Sequence, residues 1–431
     1  MKISFRPFLL LLPLLLACGL EAVFWEFFVE NADEPVLLRY ELVVLVLGVA
    51  AALWYWRRME LAMSCSVLLL VAYVVGLMME SYATHGTWVV YLHVFSKALA
   101  LFLAYGTYGY YRHRGLPSLK ILVAVLFVVL LLNLVTIHPD ALSLKAFLDN
   151  DRGFSATSAL LLVLPALLCL NWYLQRGSAL MLALFLLALG LIIFLQHRSV
   201  WMTTLMALPV NLLLLRRVPT VRFSLNRVSA LVLVPLAILF VGGVATVLQN
   251  PDVTKKFESS YEDITKANKQ GTGSWRFKQM EAYQPLVAER PLLGWRLAGF
   301  EVPMQFYDPS SDEPMWEDGT GHHFHSFYLD RLFYFGWLGL LLALVPFFVQ
   351  IIRRLASPVP LTAETAALMG LFAGCLVFGL SYDWPSYLYP FLGLLLAAAA
   401  RPAPEPAVAR PVPRPKPAAA PAPAVEPFVA T

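Results

Sequence analysis

The sequence predicts an all-α polytopic membrane protein with about 12 transmembrane helices and one large outward loop containing short helices. Three observations carry this reading. Of 431 residues, 59% are hydrophobic and only 14% charged, with mean hydropathy +0.68, against about 25% charged in soluble domains. Apolar runs of bilayer-spanning length, about 20 residues, recur along the chain. Basic residues concentrate on alternate connections between these runs. The composition excludes a soluble globular enzyme, a disordered chain and a nucleic-acid-binding domain.

The runs lie near 7–24, 37–56, 62–80, 88–110, 119–138, 155–174, 177–196, 199–215, 228–248, 326–352, 363–381 and 384–400. Lys and Arg in short loops mark the cytoplasmic side. One side, with the two ends, holds 18 of them, including Arg57, Arg58, Arg112, Arg114, Arg216, Arg217, Arg353 and Arg354. The short loops of the other side hold only Arg39, Lys145, Arg152 and Arg198. Both termini are therefore expected in the cytoplasm and the insert 249–325 outside. Residues 1–248 form the first nine helices, 326–400 the last three, and 401–431 a tail. A cleaved signal over 1–19 is the competing reading of the first run, although Leu16 fits the cleavage pattern before Cys18 poorly.

The tail has ten prolines in 31 residues, a composition that blocks helix and predicts an extended, disordered segment whose basic residues rest near anionic headgroups. The four cysteines, Cys18, Cys65, Cys169 and Cys375, each sit in an apolar run, with no disulfide or zinc spacing. No internal repeat is visible. Charges inside the runs, Lys97, Asp330 and Arg331, are expected to find structural partners in the bundle.

The insert is the one extended polar region and the natural place for chemistry. Residues 252–270 read as a polar helix with Val253, Phe257, Tyr261 and Ile264 at helical spacing. Gly271-Thr272-Gly273 breaks it. A second helix is expected from Ser274, a natural N-cap, to about Glu289, where Arg290-Pro291 closes it. An irregular stretch with acidic residues between Asp308 and Asp318 leads to His322, His323 and His325.

Three positions stand out. Arg198 sits at the outer end of the eighth run, where an arginine either snorkels to lipid phosphate or clamps an anion. Arg276 falls in the first turn of the second loop helix. A cation there opposes the helix dipole, which points to a bound anion or acidic partner as much as to a plain surface charge. His325 precedes the tenth helix, whose positive dipole end disfavours imidazolium. A neutral imidazole there can accept a proton near neutral pH, and a structural hydrogen-bonding role fits equally well. The three histidines match no firm zinc spacing, so no metal is expected. Trp275, Trp295, Trp316, Tyr283 and Phe324 either stack on sugars or sit at the membrane interface.

These residues carry a resemblance. His325-Ser326, nine residues, Gly336, two residues, Gly339 resembles the histidine motif of bacterial O-antigen ligases, in which the residue after histidine is Asn, Ser or Gln. Glu289-Arg290-Pro291-Leu292-Leu293-Gly294-Trp295 is similar to the Pro-x-x-Gly-x-Gly segment of the O-antigen ligase and polymerase superfamily. Arg296 replaces its second glycine, so a local departure of the backbone is expected. The motif resemblance spans about 180–350, and the topology of the whole chain agrees. It implies a transferase of the bacterial inner membrane that moves a glycan from undecaprenyl pyrophosphate to the lipid A–core oligosaccharide at the periplasmic face. It also implies that no cofactor, metal or ATP is needed and that nucleic acid is no partner. His325 then matches the base, and Arg198 and Arg276 the residues that hold the donor pyrophosphate. Arg296, His323 and Trp275, close to these positions, are further candidates for substrate contact. A related polymerase or protein-directed ligase shares this pattern. A twelve-span transporter is the alternative of another class, but such proteins often show repeat symmetry and broken mid-membrane helices, and neither is visible here.

Overall fold

The computed structural model describes residues 6–31, 35–149, 152–238, 255, 258, 274–302, 322 and 324–400. Among these, every regular element is helical. The helices are α1 (Arg6–Cys18), α2 (Ala22–Trp25), α3 (Pro35–Tyr55), α4 (Leu61–His85), α5 (Leu92–Arg114), α6 (Leu119–Thr136), α7 (Leu144–Asp149), α8 (Ala156–Leu160), α9 (Val163–Arg176), α10 (Ala179–Phe194), α11 (Arg198–Leu215) and α12 (Leu225–Ile238). They continue with α13 (Ser274–Glu289), α14 (Phe327–Ala356), α15 (Ala363–Phe378) and α16 (Leu388–Ala399). Among the described residues, 6 helices are long and apolar enough to cross a membrane, with α8 and α9 taken together as one of them, and four shorter apolar helices accompany them. The polar helix expected at 252–270 (Lys255 and Glu258 apart), the acidic stretch, the end of the ninth run and the tail lie outside the described residues.

Besides the tenth run, broken at Gly336, three runs differ from their sequence reading, each at a helix breaker. The run at 155–174 is two helices, α8 and α9, with a turn at Leu161-Leu162. Pro165 has no N–H for the carbonyl of Leu161 and its ring crowds that carbonyl, so the helix restarts there. The first run stops at Cys18, followed by a turn at Gly19-Leu20 and the single turn of α2. The last run begins only at Leu388, because Pro385 closes an irregular stretch from Gly379 whose final turn bonds Leu388 N to Pro385 O at 2.9 Å.

Helices α9 and α16 form the centre: Val163–Leu174 and Leu388–Ala399 are buried throughout. The outer helices expose large apolar side chains, with Trp54 74% and Leu61 80% exposed, the pattern of a helix facing lipid. Polar pins hold the interior. Asn171 and Asn211 exchange amide hydrogen bonds of 3.0 and 2.7 Å, and Asn171 also donates to Ala363 O at 2.8 Å. This joins α9, α11 and the start of α15. The intrahelical charges pair as expected: Lys97 and Arg331 both bond Asp330, and Arg331 donates to Tyr389 OH at 2.9 Å and reaches Asp383 at 3.4 Å. Unpaired, such ions would be too costly to bury.

Candidate active site

Arg198 opens α11 and is aimed by the turn before it. Gln196 adopts φ 54°, an uncommon conformation for a side-chain-bearing residue. Its amide donates to Phe147 O at 2.5 Å, and His197 Nε2 donates to Phe154 O at 2.7 Å. The turn is thereby stapled to the segment carrying Arg152. Phe154 N bonds Arg152 O at 2.7 Å, which brings this second arginine alongside the first. Burial pushes the His197 imidazole down to about 4, so it is a neutral structural group.

His325 lies immediately before the N-cap of α14. Ser326 Oγ accepts from Leu329 N at 3.4 Å and donates to Gly379 O at 3.2 Å. The Phe327 N–H is shared between Gly379 O at 2.9 Å and Tyr382 O at 3.2 Å. Ser326 thus acts as the N-cap of the helix. The connection from α15 to α16 locks this helix start and delivers Tyr382. The His325 ring meets the Tyr382 ring edge-to-face at 5.8 Å. On the same tyrosine, the Arg276 guanidinium lies 5.1 Å from the ring centroid. One aromatic ring therefore touches both the candidate base and a candidate anion ligand.

The two family-like motifs join each other. α14 is broken at Gly336, with φ 61° and ψ −163°, a conformation essentially confined to glycine. The break releases backbone groups that a continuous helix would pair. The loop after α13 takes them up: Trp337 N bonds Pro291 O at 2.8 Å, Leu338 N bonds Leu292 O at 3.0 Å, and Trp295 N bonds Phe333 O at 2.8 Å. Gly294, at φ 63°, lies so close that a Cβ would stand 2.6 Å from Gly336 N, and a Cβ on Gly336 would stand 2.5 Å from Leu292 O. Pro291-x-x-Gly294 is thus the socket for Gly336. It fixes α13, which carries Arg276, against the helix that follows His325.

The consequence is a cavity of about 630 Å³ lined by Arg152, Arg198, Arg276, His325 and Tyr382 on its polar side. Met202, Phe277, Met280, Leu329 and Leu332 form its apolar wall. No carboxylate lines it among the described residues. The Nε atoms of Arg152 and Arg276 are buried without a hydrogen-bond partner. Burial pulls both guanidiniums below their ordinary range; Tyr382 opposes this and the charge of Arg198 adds to it. Even so lowered, an arginine stays charged. Such a cluster suits a multiply charged anion with an apolar substituent. A second cavity of about 450 Å³ borders the first, and His325 lines both.

The remaining sequence candidates divide. Arg296 is not brought to either cavity: its Nε donates to Glu80 at 2.6 Å on α4. Arg296 takes φ 51°, a left-handed conformation that glycine adopts more readily, and its ion pair with Glu80 holds it there. His323 and the side chain of Trp275 lie outside the described residues. The histidine group is split. His322 Nε2 donates to Val302 O at 3.1 Å, and its Nδ1 faces Tyr283 OH at 2.5 Å within an aromatic cluster. Of these two, only His325 lines the cavities. Trp295 donates to Leu286 O at 2.8 Å beneath Arg290, a structural placement. Sequence reasoning missed Arg152 and Tyr382. Arg152 had a signal, as one of the few basic residues in outer short loops; Tyr382 had none.

A family model described as O-antigen ligase matches residues 160–344. The match takes in Arg198, Arg276, Pro291, Gly294, His325 and Gly336. No curated protein matches the chain. The match, with its motif residues meeting around one cavity, supports placing residues 160–344 in the O-antigen ligase superfamily.

Proposed function

We propose that the protein is an O-antigen ligase that transfers a glycan from undecaprenyl pyrophosphate to the lipid A–core oligosaccharide. The observation that supports this most is the shared cavity of Arg152, Arg198, Arg276 and His325. Superfamily members are glycosyltransferase-like enzymes acting on lipid-linked glycans. A membrane setting follows from the apolar helices. In this reading the chain crosses the bacterial inner membrane twelve times, both termini are cytoplasmic and the cavity opens to the periplasm.

The chemistry follows from the groups present. The guanidiniums hold the pyrophosphate through charge-assisted, often bidentate, hydrogen bonds. The apolar wall receives the first isoprene units. A sugar hydroxyl of the acceptor attacks the anomeric carbon while its proton passes to the His325 ring, a step worth about 10²–10⁴-fold in rate. The bond from that carbon to the phosphate oxygen breaks, and its electron pair leaves with the pyrophosphate. The arginines stabilise the developing charge, a role a metal ion fills in other phosphate-releasing enzymes. One base and one leaving group make this a single displacement with inversion.

The test is complementation of a strain lacking its O-antigen ligase, comparing wild type with His325→Ala at matched expression. Wild type should restore the lipopolysaccharide ladder and His325→Ala should not. A ladder restored equally by both removes His325 from the mechanism. Rescue of a polymerase-deficient strain instead of a ligase-deficient one reassigns the acceptor.

A further inference from the structure

The second cavity carries chemistry that the pyrophosphate does not use. It is lined by Ser96, Lys97, Asp383, Ser386 and Tyr389, with Phe324 and Trp384 as aromatic walls. Its charges are largely compensated. Lys97 bonds Asp330, and Arg331 is shared among Asp330, Asp383 and Tyr389. The first cavity, by contrast, has three guanidiniums and no lining carboxylate among the described residues. A volume of about 450 Å³ falls within the range of small-molecule sites, roughly 300–1,000 Å³. Hydroxyls on two aromatic walls, with the Lys97 and Arg331 cations that also line the cavity already paired to carboxylates, are complementary to a neutral, hydroxyl-rich ring rather than to an anion.

Position strengthens the argument. His325 is the one described residue lining both cavities. Inversion requires the attacking hydroxyl and the leaving pyrophosphate on opposite sides of the anomeric carbon, with the base beside the hydroxyl. Two cavities meeting at the base supply that arrangement. The Asp383 side chain keeps 31% of its surface exposed, although Oδ1 accepts from Trp384 N at 2.7 Å and from Arg331. Its carboxylate is therefore oriented and within reach of the cavity.

We propose that this second cavity is the acceptor subsite, binding the sugar whose hydroxyl is glycosylated, with Asp383 and Ser386 hydrogen-bonding its neighbouring hydroxyls. The proposal rests on the transferase reading above.

Ser386→Leu and Ser96→Leu fill the cavity without touching the arginine site. Purified protein is assayed with an undecaprenyl-pyrophosphate-linked glycan and rough lipopolysaccharide, varying each in turn. The acceptor KM should rise at least tenfold in both variants. The donor KM should stay within twofold in both variants. An unchanged acceptor KM in folded leucine variants, or a parallel rise of both KM values, overturns the subsite while wild-type transfer leaves the transferase reading standing. No transfer by wild type from this donor removes that reading and the subsite with it. Should the leucine variants not fold, Ser386→Cys is introduced with the exposed Cys65 changed to Ser, the other three cysteines being buried. Rough lipopolysaccharide must then slow thiol labelling at position 386; labelling at an unchanged rate overturns the proposal.

Discussion

Replacing Gly336 by alanine tests whether the socket between the loop and the broken helix sets the active geometry. The new Cβ would stand 2.5 Å from Leu292 C and O and 2.6 Å from Gly294 N. All three are backbone atoms, so no side-chain rotation relieves the overlap. The conformation itself, φ 61° and ψ −163°, costs a non-glycine residue about 1–3 kcal/mol. Relief by separation breaks the bonds of Trp295, Trp337 and Leu338 to their partners across the socket, each worth about 0.5–1.5 kcal/mol net. The smaller figures already total about 2.5 kcal/mol, so ~3 kcal/mol is a conservative sum, close to a hundredfold loss of the docked population at 1.4 kcal/mol per decade. Transfer activity per folded protein should fall about as far, although Gly336 is absent from both cavity linings. Activity in proteoliposomes and thermal unfolding in detergent are the assays. Gly190→Ala is the control, since a Cβ there meets nothing within 4 Å. Activity of Gly336→Ala within twofold of wild type, with unchanged unfolding, would mean that the socket does not set the active geometry.

Three further outcomes are expected. Arg152→Gln should weaken donor binding about 10–100-fold, the equivalent of one charge-assisted contact at about 1.5–3 kcal/mol, with the acceptor KM unchanged; equal donor affinity would take Arg152 out of the anion site. His197, held at about 4 by burial against an ordinary 6.5, binds a proton more readily unfolded than folded. Its contribution to stability, about 3 kcal/mol, is therefore full above pH 6.5 and is lost as the pH falls from 6.5 towards 4. His197→Gln should flatten that slope in unfolding measured across pH, and an unaltered slope would contradict the burial argument. Arg296→Gly exchanges an ion pair worth up to about 1 kcal/mol for relief of a left-handed backbone costing about 1–2 kcal/mol. The variant should be as stable as wild type or more so and keep its activity; a clear fall in either would mean that Arg296 does more than bind Glu80.

Helices were legible where apolar length alone decides them. The range Ser274–Glu289 was readable because Gly273 and Pro291 bracket it. The breaks at Leu161 and Gly336 were harder to see, because their hydropathy continues unchanged across them. Proline chemistry explains the first, but the second depends on a loop some forty residues earlier. The site divides in the same way. Arg198, Arg276 and His325 were visible because charge is costly at span ends and helix starts. The meeting of Arg276 and His325 on Tyr382 was invisible, as it arises from the turn between α15 and α16, far along the chain. Arg296 misled as a substrate contact because its partner, Glu80, lies more than two hundred residues earlier in the chain.

The Tyr382 turn has a wider meaning. The recognisable segment ends at 344 and begins at 160. Arg152 lies before it, Tyr382 and Asp383 lie after it, and Lys97 comes from α5. A polypeptide cut back to the recognisable segment would keep the signature but lose one of three guanidiniums, the ring shared by base and arginine, and most of the second cavity's polar wall. The signature is therefore not an autonomous module. Grafting it onto another bundle should transfer the look of the family without its activity, and exchange between relatives should succeed only when the flanking helices travel with it.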